Sequence, residues 1–272
     1  MSSDISYIVI ADKTKPSIIG PDLQIIFVST SVKKVLGFEW KECLGYSPFE
    51  FLDEKDFTNV LRAFNELEAK EALGGLLYLK IRGKFKWNFV ECSVTFCHEL
   101  VFFVIRTLTT KPAVSFWDLN SLTEAIYLVD KEGITRIEEQ VNYRKGVNHI
   151  PTLCYDQKFT EWTSPTNFEL RVGLVIDITS GNSIILFSSE SSEWMFGVPH
   201  HAILDTSFED YVHKEDLEDF REELCETIQE HSLNKCYFTL VTPKGEMEVE
   251  GLFCYSNDAV VLVLKEATSW DS

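Results

Sequence analysis

The chain contains an internal repeat, and this repeat limits the possible fold more than any other feature of the sequence. Residues 27–37 return as residues 187–197, and both segments begin with Phe, carry a Ser-x-Ser pair and end with Gly. The match continues without a gap through five further pairs: Leu44 and Leu204, Ser47 and Ser207, Glu50 and Asp210, Phe51 and Tyr211, Asp56 and Asp216. After a slip of one residue, Val-Glu at 90–91 matches Val-Glu at 249–250, and Ile-Arg at 105–106 matches Leu-Lys at 264–265. An ordered match over roughly eighty residues predicts two copies of one domain, because a solenoid would need several shorter units.

The 272 residues of the chain accommodate two such copies, each long enough to bury its own core. We predict a first domain over residues 1–110 and a second domain over residues 166–272. The interdomain segment between them, residues 111–165, has no counterpart in the repeat. Its first half contains an apolar run and a Glu-Gly turn, and its second half is polar with two prolines. We therefore expect a helix or a strand pair within 119–137 and a mobile loop within 138–165.

Hydrophobic patterning predicts the order strand, strand, short helix, long helix and three strands in each copy. In the first copy, β-branched runs flank Gly-Pro-Asp at 20–22, which predicts strands at 17–19 and 23–28. The Ser-x-Ser hydroxyls suit the start of the short helix, and Gly37 suits its end. Apolar residues at helical spacing then predict the long helix: Phe57, Val60, Leu61, Phe64 and Leu67, with Leu217, Phe220, Leu224 and Ile228 in the second copy.

Three strands are predicted to close each copy. They lie near 76–81, 88–97 and 100–106 in the first copy, and near 236–241, 247–255 and 259–264 in the second. The predicted fold class is α+β, with a five-stranded antiparallel sheet in each domain and short helices packed on one face.

Charge and cysteine content exclude several classes of function. The net charge is −18, so we expect no direct binding to nucleic acid and none to an anionic membrane. The seven cysteines form an odd set without a C-x-x-C pair, which favours reduced thiols over a disulfide framework. The N-terminus lacks the pattern of a signal peptide, and no stretch of eighteen apolar residues occurs. These features predict an intracellular protein, and they do not distinguish cytoplasm from nucleus.

The sequence motifs within this predicted order of elements resemble those of the PAS domain family. The resemblance is carried by Ile-Ile-Phe-Val-Ser-Thr-Ser at 25–31, Val-Leu-Gly-Phe at 35–38 and Phe-Leu-Asp-Glu-Lys-Asp at 51–56. In the second copy, Tyr-Val-His-Lys-Glu-Asp at 211–216 keeps the histidine and the terminal aspartate of the family pattern, while Lys214 replaces its proline. The resemblance implies domains that sense ligands, light or redox state, or that pair with other PAS domains. The arrangement is similar to the paired domains of eukaryotic transcriptional and clock regulators, including the fungal white collar proteins.

The resemblance also allows each cofactor class of the family to be tested on the residues. Flavin photochemistry needs a cysteine in a G-x-N-C-R-F-L-Q word, and the aligned residues 45–52 contain none. Haem-binding members take an axial histidine from the long helix. Here His98 falls in a predicted hairpin turn. His213 lies at the start of the long helix, where members of the family commonly keep a histidine that closes a turn by hydrogen bonding. The pair His200 and His201 diverges on a helix and does not predict a metal site. We therefore expect no flavin, haem or metal.

No catalytic pattern is found either. The sequence lacks a P-loop, a G-x-S-x-G word and an H-E-x-x-H word, and its paired acids are those expected on charged helix faces. We therefore predict that the protein is not an enzyme.

We predict a non-catalytic regulatory module that pairs with another PAS-containing protein or with itself. The expected interface is the outward face of each sheet, with Trp87, Phe89 and Phe103 as candidate contacts. The apolar run at 5–10 is expected to pack on that face or to dock onto a second subunit.

The alternative is a small-molecule sensor with a cavity in one PAS core. Its lining candidates lie on the inward side of the sheet and helices: Leu36, Phe64 and Val94 in the first copy, and Phe196, Leu224 and Phe253 in the second.

Overall fold

The computed structural model describes residues 5–18, 22–69, 75–108, 125–130, 133–137, 147–151, 169–179, 181–230 and 233–267. Within these ranges the chain forms two β-sheet units, each with its own helices. Counted from the start of each copy, five antiparallel strands occur in the order 2-1-5-4-3 in both units. The predicted α+β class and the five-stranded antiparallel sheet of each copy are therefore confirmed.

The first unit contains five strands and three α-helices, with a short 3-10 helix before the longest α-helix. In chain order they are β1 (Ser6–Asp12), β2 (Gln24–Val28), α1 (Val32–Leu36), α2 (Trp40–Cys43), the 3-10 helix (Pro48–Phe51), α3 (Glu54–Ala69), β3 (Gly75–Arg82), β4 (Trp87–Cys97) and β5 (Leu100–Thr107). α3 begins after Asp53, whose Oδ1 accepts a hydrogen bond of 3.1 Å from the backbone N–H of Lys55. The predicted apolar stripe of α3 packs on the sheet.

The first strand lies earlier in the chain than predicted. β1 pairs with both β2 and β5, and all seven of its residues are buried. Ile18, placed in a strand by the sequence pattern, is 62 % exposed and lies in the connection to β2. The prediction of a strand at 17–19 is wrong because a strand covered on both faces needs a continuous apolar run, which residues 7–11 supply. The run at 5–10, expected to dock onto a surface, is part of the sheet itself.

The second unit repeats the first with two 3-10 helices between its α-helices. Its elements follow one another as β9 (Arg171–Asp177), β10 (Ile184–Ser188), α4 (Ser192–Phe196), 3-10 helices (His200–Ala202 and Phe208–Tyr211), α5 (Leu217–Glu230), β11 (Leu233–Thr242), β12 (Gly245–Tyr255) and β13 (Val260–Glu266). The predicted closing strands are confirmed in both copies.

The equivalent short helices α1 and α4 end in the same way. Gly37 has φ of 81° and Gly197 has φ of 73°, which is the left-handed conformation that glycine adopts without strain. The N–H of Gly37 donates to the carbonyl of Lys33, and the N–H of Gly197 donates to the carbonyl of Glu193. The predicted glycine C-cap is confirmed.

Three strands of the interdomain segment join the first sheet. They are β6 (Ala125–Asp130), β7 (Gly133–Ile137) and β8 (Val147–Pro151). β6 pairs in parallel with residues 75–78 of β3, and β7 and β8 follow as antiparallel neighbours, so the first sheet has eight strands. The strand pair β6–β7 is one of the two structures predicted for 119–137. Apart from β8, the loop predicted within 138–165 lies outside the described residues, and the domain boundaries stay a prediction.

The described residues form three apolar clusters. The first cluster lies between the first sheet and its helices, and the second lies between the second sheet and its helices. The third cluster takes residues from both sheets and lies between the units. No helix among the described residues is both long and apolar enough to cross a bilayer.

Candidate functional site: the interface between the two units

The two sheets pack against each other through their outer faces, which are the faces opposite their helices. In β1 and β5, alternate residues point away from the helices, and the same is true of β9, β12 and β13. These outward residues form one buried cluster, here called the interdomain cluster: Ile8, Ile10, Cys97, Phe102 and Val104 from the first unit, and Val175, Leu252, Cys254, Ala259, Val261 and Val263 from the second. Each unit therefore covers the outer face of the other.

Equivalent residues of the repeat meet at this interface. The rings of Phe27 on β2 and Phe187 on β10 lie with their centroids 6.4 Å apart. These two residues occupy the same position in the two copies. A residue contacts its own counterpart only near a two-fold axis, so the units are related as the subunits of an isologous dimer are. Phe102 lies beside this pair, with its ring centroid 6.0 Å from that of Phe187.

A pair of equivalent hydrogen bonds crosses the interface. The backbone N–H of Ser6, the first residue of β1, donates to Oδ1 of Asn257 at 2.6 Å. The backbone N–H of Arg171, the first residue of β9, donates to Nε2 of His98 at 3.1 Å. Asn257 and His98 occupy the same place in the turn that joins the last two strands of each unit. Each unit thus binds the beginning of the other unit's first strand.

The repeated Ser-x-Ser pair also belongs to the interface. Ser29 Oγ accepts from the N–H of Ile8 at 2.9 Å, and Ser189 Oγ accepts from the N–H of Gly173 at 3.0 Å. Ser31 precedes α1 but makes no capping hydrogen bond there, and its hydroxyl donates across the interface to Asp258 Oδ1 at 2.7 Å.

The second serine of the other copy, Ser191, also makes no capping hydrogen bond, and its Oγ lies 3.9 Å from Cys97 Sγ of the first unit. The prediction that these hydroxyls cap the helices is wrong: Ser31 bonds to Asp258 of the opposite unit, and Ser191 Oγ lies 2.7 Å from Ser189 Oγ in its own unit.

Gly173 permits a close approach between the two sheets. A Cβ atom on Gly173 would lie 2.3 Å from the ring of Phe102, well inside van der Waals contact. Its counterpart in the first copy is Ile8, and the counterpart of Phe102 is Val261. The large Phe102 of the first unit therefore faces a glycine of the second unit. At the two equivalent positions, Val261 and Ile8 are both of medium size.

Arg171 connects the two units by a hydrogen bond. Its side chain is buried, its Nη1 donates to the carbonyl of Phe96 in the first unit at 3.2 Å, and its Nη2 donates to Glu169 Oε2 at 2.7 Å. Burial alone would raise the pKa of Glu169, but the hydrogen bond and charge of Arg171, together with the charge of Lys265, hold it below its usual value. Breaking this pair would leave a buried charge without a partner.

Two equivalent ion pairs, one in each unit, lie on the outer faces of the sheets. Glu91 pairs with Arg106 directly across β4 and β5, and Glu250 pairs with Lys265 directly across β12 and β13. These four residues are equivalent in the two copies. Cross-strand charge pairs of this kind favour one strand register.

An open groove of about 860 Å³ lies beside the interface and is lined by residues of both units. Lys13, His98 and Glu169 line it together with Arg171 and Ser191. Burial lowers the pKa of His98, and the charges of Arg171 and Lys13 lower it further. Because His98 Nε2 accepts the N–H of Arg171, the neutral ring is the form that fits this place. Among the described residues, no three His, Cys, Asp or Glu side chains are grouped as a metal site.

The structure places the three predicted interface residues in different surroundings. Phe103 lies in the first core, and its ring is 6.0 Å from that of Phe64. The prediction that it faces outward is wrong, because Val101, Phe103 and Ile105 form the inward row of β5 and their neighbours form the outward row. Trp87 is 47 % exposed and Phe89 is half-buried at the beginning of β4. Neither residue belongs to the interdomain cluster, and their role in binding stays a prediction.

The six predicted pocket residues all lie in the cores between sheet and helices. Leu36, Phe64 and Val94 belong to the first core, and Phe196, Leu224 and Phe253 belong to the second. Aromatic rings pack closely around them: Phe64 is 4.7 Å from Phe96, and Phe253 is 5.5 Å from Phe220 between ring centroids. Their role as ligand-lining residues stays a prediction.

Comparison with known proteins identifies part of the chain by family. Residues 16–109 match the sequence profile of the PAS domain family. No curated protein matches the chain.

Several solved structures resemble part of the chain. The PAS domain of a protein from Colwellia psychrerythraea is 12 % identical, with a TM-score of 0.33, over 37 % of this chain and 88 % of that one. The chromophore-binding domain of a bacteriophytochrome from R. palustris is 20 % identical, with a TM-score of 0.32, over 36 % of this chain and 31 % of that one.

The PAS-B domain of Drosophila melanogaster Cycle, solved with bound ethylene glycol, is 16 % identical, with a TM-score of 0.31, over 35 % of this chain and 97 % of that one. Among these three, the match spans about a third of the phytochrome chain and most of the other two. Residues 16–109 therefore match the PAS domain family, and the second unit has the same order of five antiparallel strands as the first.

Proposed function

We propose that this chain is a non-catalytic regulatory module whose two PAS-type domains pair with each other and which acts by binding other proteins in signal or transcription regulation. The observation that carries the proposal is the interdomain cluster. It buries the outer sheet faces of both domains, and it brings the equivalent residues Phe27 and Phe187 into contact.

The interface explains why the two copies stay together. Each fully buried aliphatic or aromatic side chain in the interdomain cluster contributes about 1.5–3 kcal/mol relative to its exposed state. Because the domains share one chain, their pairing is intramolecular and does not depend on protein concentration. A second PAS chain would have to displace this contact or bind elsewhere. The predicted pairing with another PAS-containing protein is therefore proposed to use either an opened form of the chain or a different surface.

The thiols support a non-catalytic role. Burial raises the pKa of Cys97 and of Cys43 to about 11, and that of Cys254 to about 12. A thiol acts as a nucleophile in its deprotonated form, so these three are unreactive at neutral pH. We propose that the module works without a cofactor, and an absorption spectrum of the purified protein tests this part: a visible band from a tightly bound chromophore would contradict it.

The function is tested by capturing partners with the domains paired and unpaired. Val263→Asp places a carboxylate in the interdomain cluster, while the separated second domain would tolerate it because this position points away from the helices. Leu186→Asp, at an exposed position of the same sheet, is the matched control. Tagged wild-type and variant chains are expressed in the native cell, and co-purifying chains are identified by mass spectrometry.

We expect a defined chain to co-purify with the wild type and with the control, and its amount to change with Val263→Asp. Recovery of a PAS-containing chain would support the finer prediction of pairing between PAS proteins. If no chain is enriched over the tag alone, or if the variant captures the same amounts as the wild type, the proposed function is wrong.

A further inference from the structure

The hairpin that joins β3 to β4 exposes two aromatic side chains. Phe85 lies at its tip, where turns usually carry polar residues, and its side chain is 86 % exposed. The ring lies beside the end of α1, since a Cβ atom on Gly37 would be 3.2 Å from it. Trp87, the first residue of β4, is also exposed. Exposed aromatic residues grouped in this way are typical of a surface that binds another protein.

The hairpin is attached to the two short helices of its unit. The backbone N–H of Lys84 donates to the carbonyl of Leu36, at the end of α1, at 2.7 Å. The Nζ of Lys84 lies 3.1 Å from Glu42 Oε1 of α2 and 6.0 Å from the centre of the Phe38 ring. The exposed residues of α1, α2 and the hairpin therefore belong to one surface.

Positive charge is concentrated on this surface. Residues 32–43 and 79–89 contain seven lysines and arginines and two glutamates, whereas the whole chain has a net charge of −18. The seven cations and the three aromatic residues exposed beside them are here called the basic hairpin surface: Lys33, Lys34, Lys41, Lys80, Arg82, Lys84 and Lys86, with Trp40, Phe85 and Trp87. Its excess of positive charge attracts anionic groups to one end of an otherwise acidic protein.

Part of this charge is not neutralised by nearby carboxylates. The two glutamates of these segments are already paired, Glu39 with Lys33 at 2.5 Å and Glu42 with Lys84. Three further lysines form no ion pair with any residue that the structure describes: Lys34, Lys80 and Lys86. A carboxylate of a partner can therefore bind a cation here without breaking an ion pair within the chain.

The equivalent surface of the second unit has the opposite charge. Residues 192–203 and 238–248 contain one lysine and three glutamates. That lysine, Lys244, occupies the position of Phe85, and its Nζ donates to the carbonyl of Trp194 in its own unit at 2.7 Å. Because the two units have the same strand order, the fold does not require the positive charge of the first unit. The difference between the copies favours a binding role for the basic hairpin surface.

We propose that the basic hairpin surface binds an acidic segment of a partner protein, with Phe85 and Trp87 in contact with an apolar side chain of that segment. This inference rests on the proposed interaction function and specifies the chemistry of the partner. A short acidic segment fits the surface better than a nucleic acid does, because a long polyanion would extend beyond it onto the acidic remainder of the chain. The charges favour association at low salt, and the aromatic rings contribute contact area that salt does not screen.

The test measures binding of dye-labelled peptides to the full chain by fluorescence anisotropy. The acidic peptide is Glu-Asp-Glu-Phe-Glu-Leu-Asp-Glu. A second peptide has lysine at every acidic position, and a third has serine in place of the phenylalanine and the leucine.

Two variants of the surface are each compared with a matched control in the second unit. Lys86→Glu reverses one of the charges without an ion pair, and Lys214→Glu makes the same change at an exposed position elsewhere. Phe85→Ser removes the exposed ring, and Trp194→Ser removes another exposed aromatic side chain. Circular dichroism and melting temperatures establish that all four variants fold.

We expect the acidic peptide to bind the wild type and both controls equally, and to bind them more tightly than the other two peptides do. Lys86→Glu should lower its affinity by about tenfold and Phe85→Ser by about fivefold, and added salt should weaken binding to the wild type. No binding of the acidic peptide, a preference for the basic peptide, or unchanged affinity in either surface variant would overturn the proposal.

Two other occupants would give different results. A single-stranded oligonucleotide that binds more tightly than the acidic peptide, and is lost with Lys86→Glu, would assign the surface to nucleic acid. Concentration-dependent dimerisation that Lys86→Glu abolishes would assign it to a second copy of the chain. Either result overturns the proposal.

A failure of this proposal differs from a failure of the proposed function. If the acidic peptide does not bind while partners are still captured in the native cell, only the role of the basic hairpin surface is removed. If the peptide binds as expected and no partner is captured, the proposed function is removed.

Discussion

The contact between Gly173 and Phe102 gives a quantitative test of how the two domains pair. A methyl group on Gly173 would lie 2.3 Å from the Phe102 ring, which comes from the opposite sheet. Gly173→Ala must therefore displace the ring, and overpacking of this kind costs about 1–3 kcal/mol. Phe102→Ala removes a fully buried ring and is expected to lower the free energy of unfolding by about 3–5 kcal/mol.

The two changes should not be additive. In a chain that already carries Phe102→Ala, the methyl of Ala at position 173 enters the space that the ring has left. The penalty of Gly173→Ala should then disappear, and the coupling energy of the double-mutant cycle is about 1–3 kcal/mol. A coupling of this size between residues about seventy positions apart in sequence requires that the two outer faces meet.

The four proteins are compared by urea unfolding, followed by tryptophan fluorescence and by circular dichroism. The cycle uses differences between variants, so errors in the absolute free energies largely cancel. If Gly173→Ala costs the same in both backgrounds, Phe102 does not pack on this glycine, and the described pairing of the sheets is wrong.

Three further predictions concern single residues of the interface and the thiols. The stability of the wild type relative to His98→Asn should fall as the pH drops below 6.5: burial depresses the pKa of His98 in the folded chain, so the unfolded chain takes up the proton first. Melting curves of both proteins from pH 8 to pH 5 measure this, and parallel curves would contradict it. Ser31→Ala should lower the free energy of unfolding by about 1–2 kcal/mol because a hydrogen bond to a carboxylate is lost, whereas Thr30→Ala at the exposed position beside it should have little effect in the same urea titration. Cys225→Ser should remove a fast-reacting thiol in a titration with Ellman's reagent at neutral pH, because this residue is exposed, and Cys97→Ser should leave the fast phase unchanged.

Much of the fold follows from local periodicity. The last three strands of each copy were predictable because short apolar runs are bounded by turn residues, and the stripe of α3 was predictable because its apolar residues recur at every third or fourth position. The repeat strengthened each assignment, since the same pattern occurred twice. The glycine ends of α1 and α4 were predictable for a chemical reason, because glycine adopts positive φ without strain.

The interface was harder to predict because it depends on which of two rows in a strand faces outward. In β5, Val101, Phe102, Phe103 and Val104 are all apolar and all buried, so hydrophobicity does not separate the inward row from the outward row. The sequence nevertheless contained a pattern that indicates a covered outer face. A sheet with one face in water shows apolar and polar residues in alternation, whereas uninterrupted apolar runs in β1, β5 and β13 indicate strands covered on both faces.

The serine pair shows a different limit. A serine before a short helix is most simply interpreted as a cap, and no local feature of the sequence indicates that Ser31 bonds to Asp258, more than two hundred residues away. Whether the Ser31 hydroxyl caps α1 or bonds to Asp258 depends on where the second domain lies.

Joining both halves of a dimer-like contact in one polypeptide has an evolutionary consequence. In an assembly of identical chains, every mutation at the contact appears on both sides of the axis, so a bulky ring gained by one half is gained by the other as well. Here the two halves can change separately, and a ring on one side can be matched by glycine on the other, as Phe102 and Gly173 are. The same freedom left a titratable imidazole at His98 and a neutral amide at Asn257. A fall in pH can therefore act on one end of this contact and not on the equivalent end.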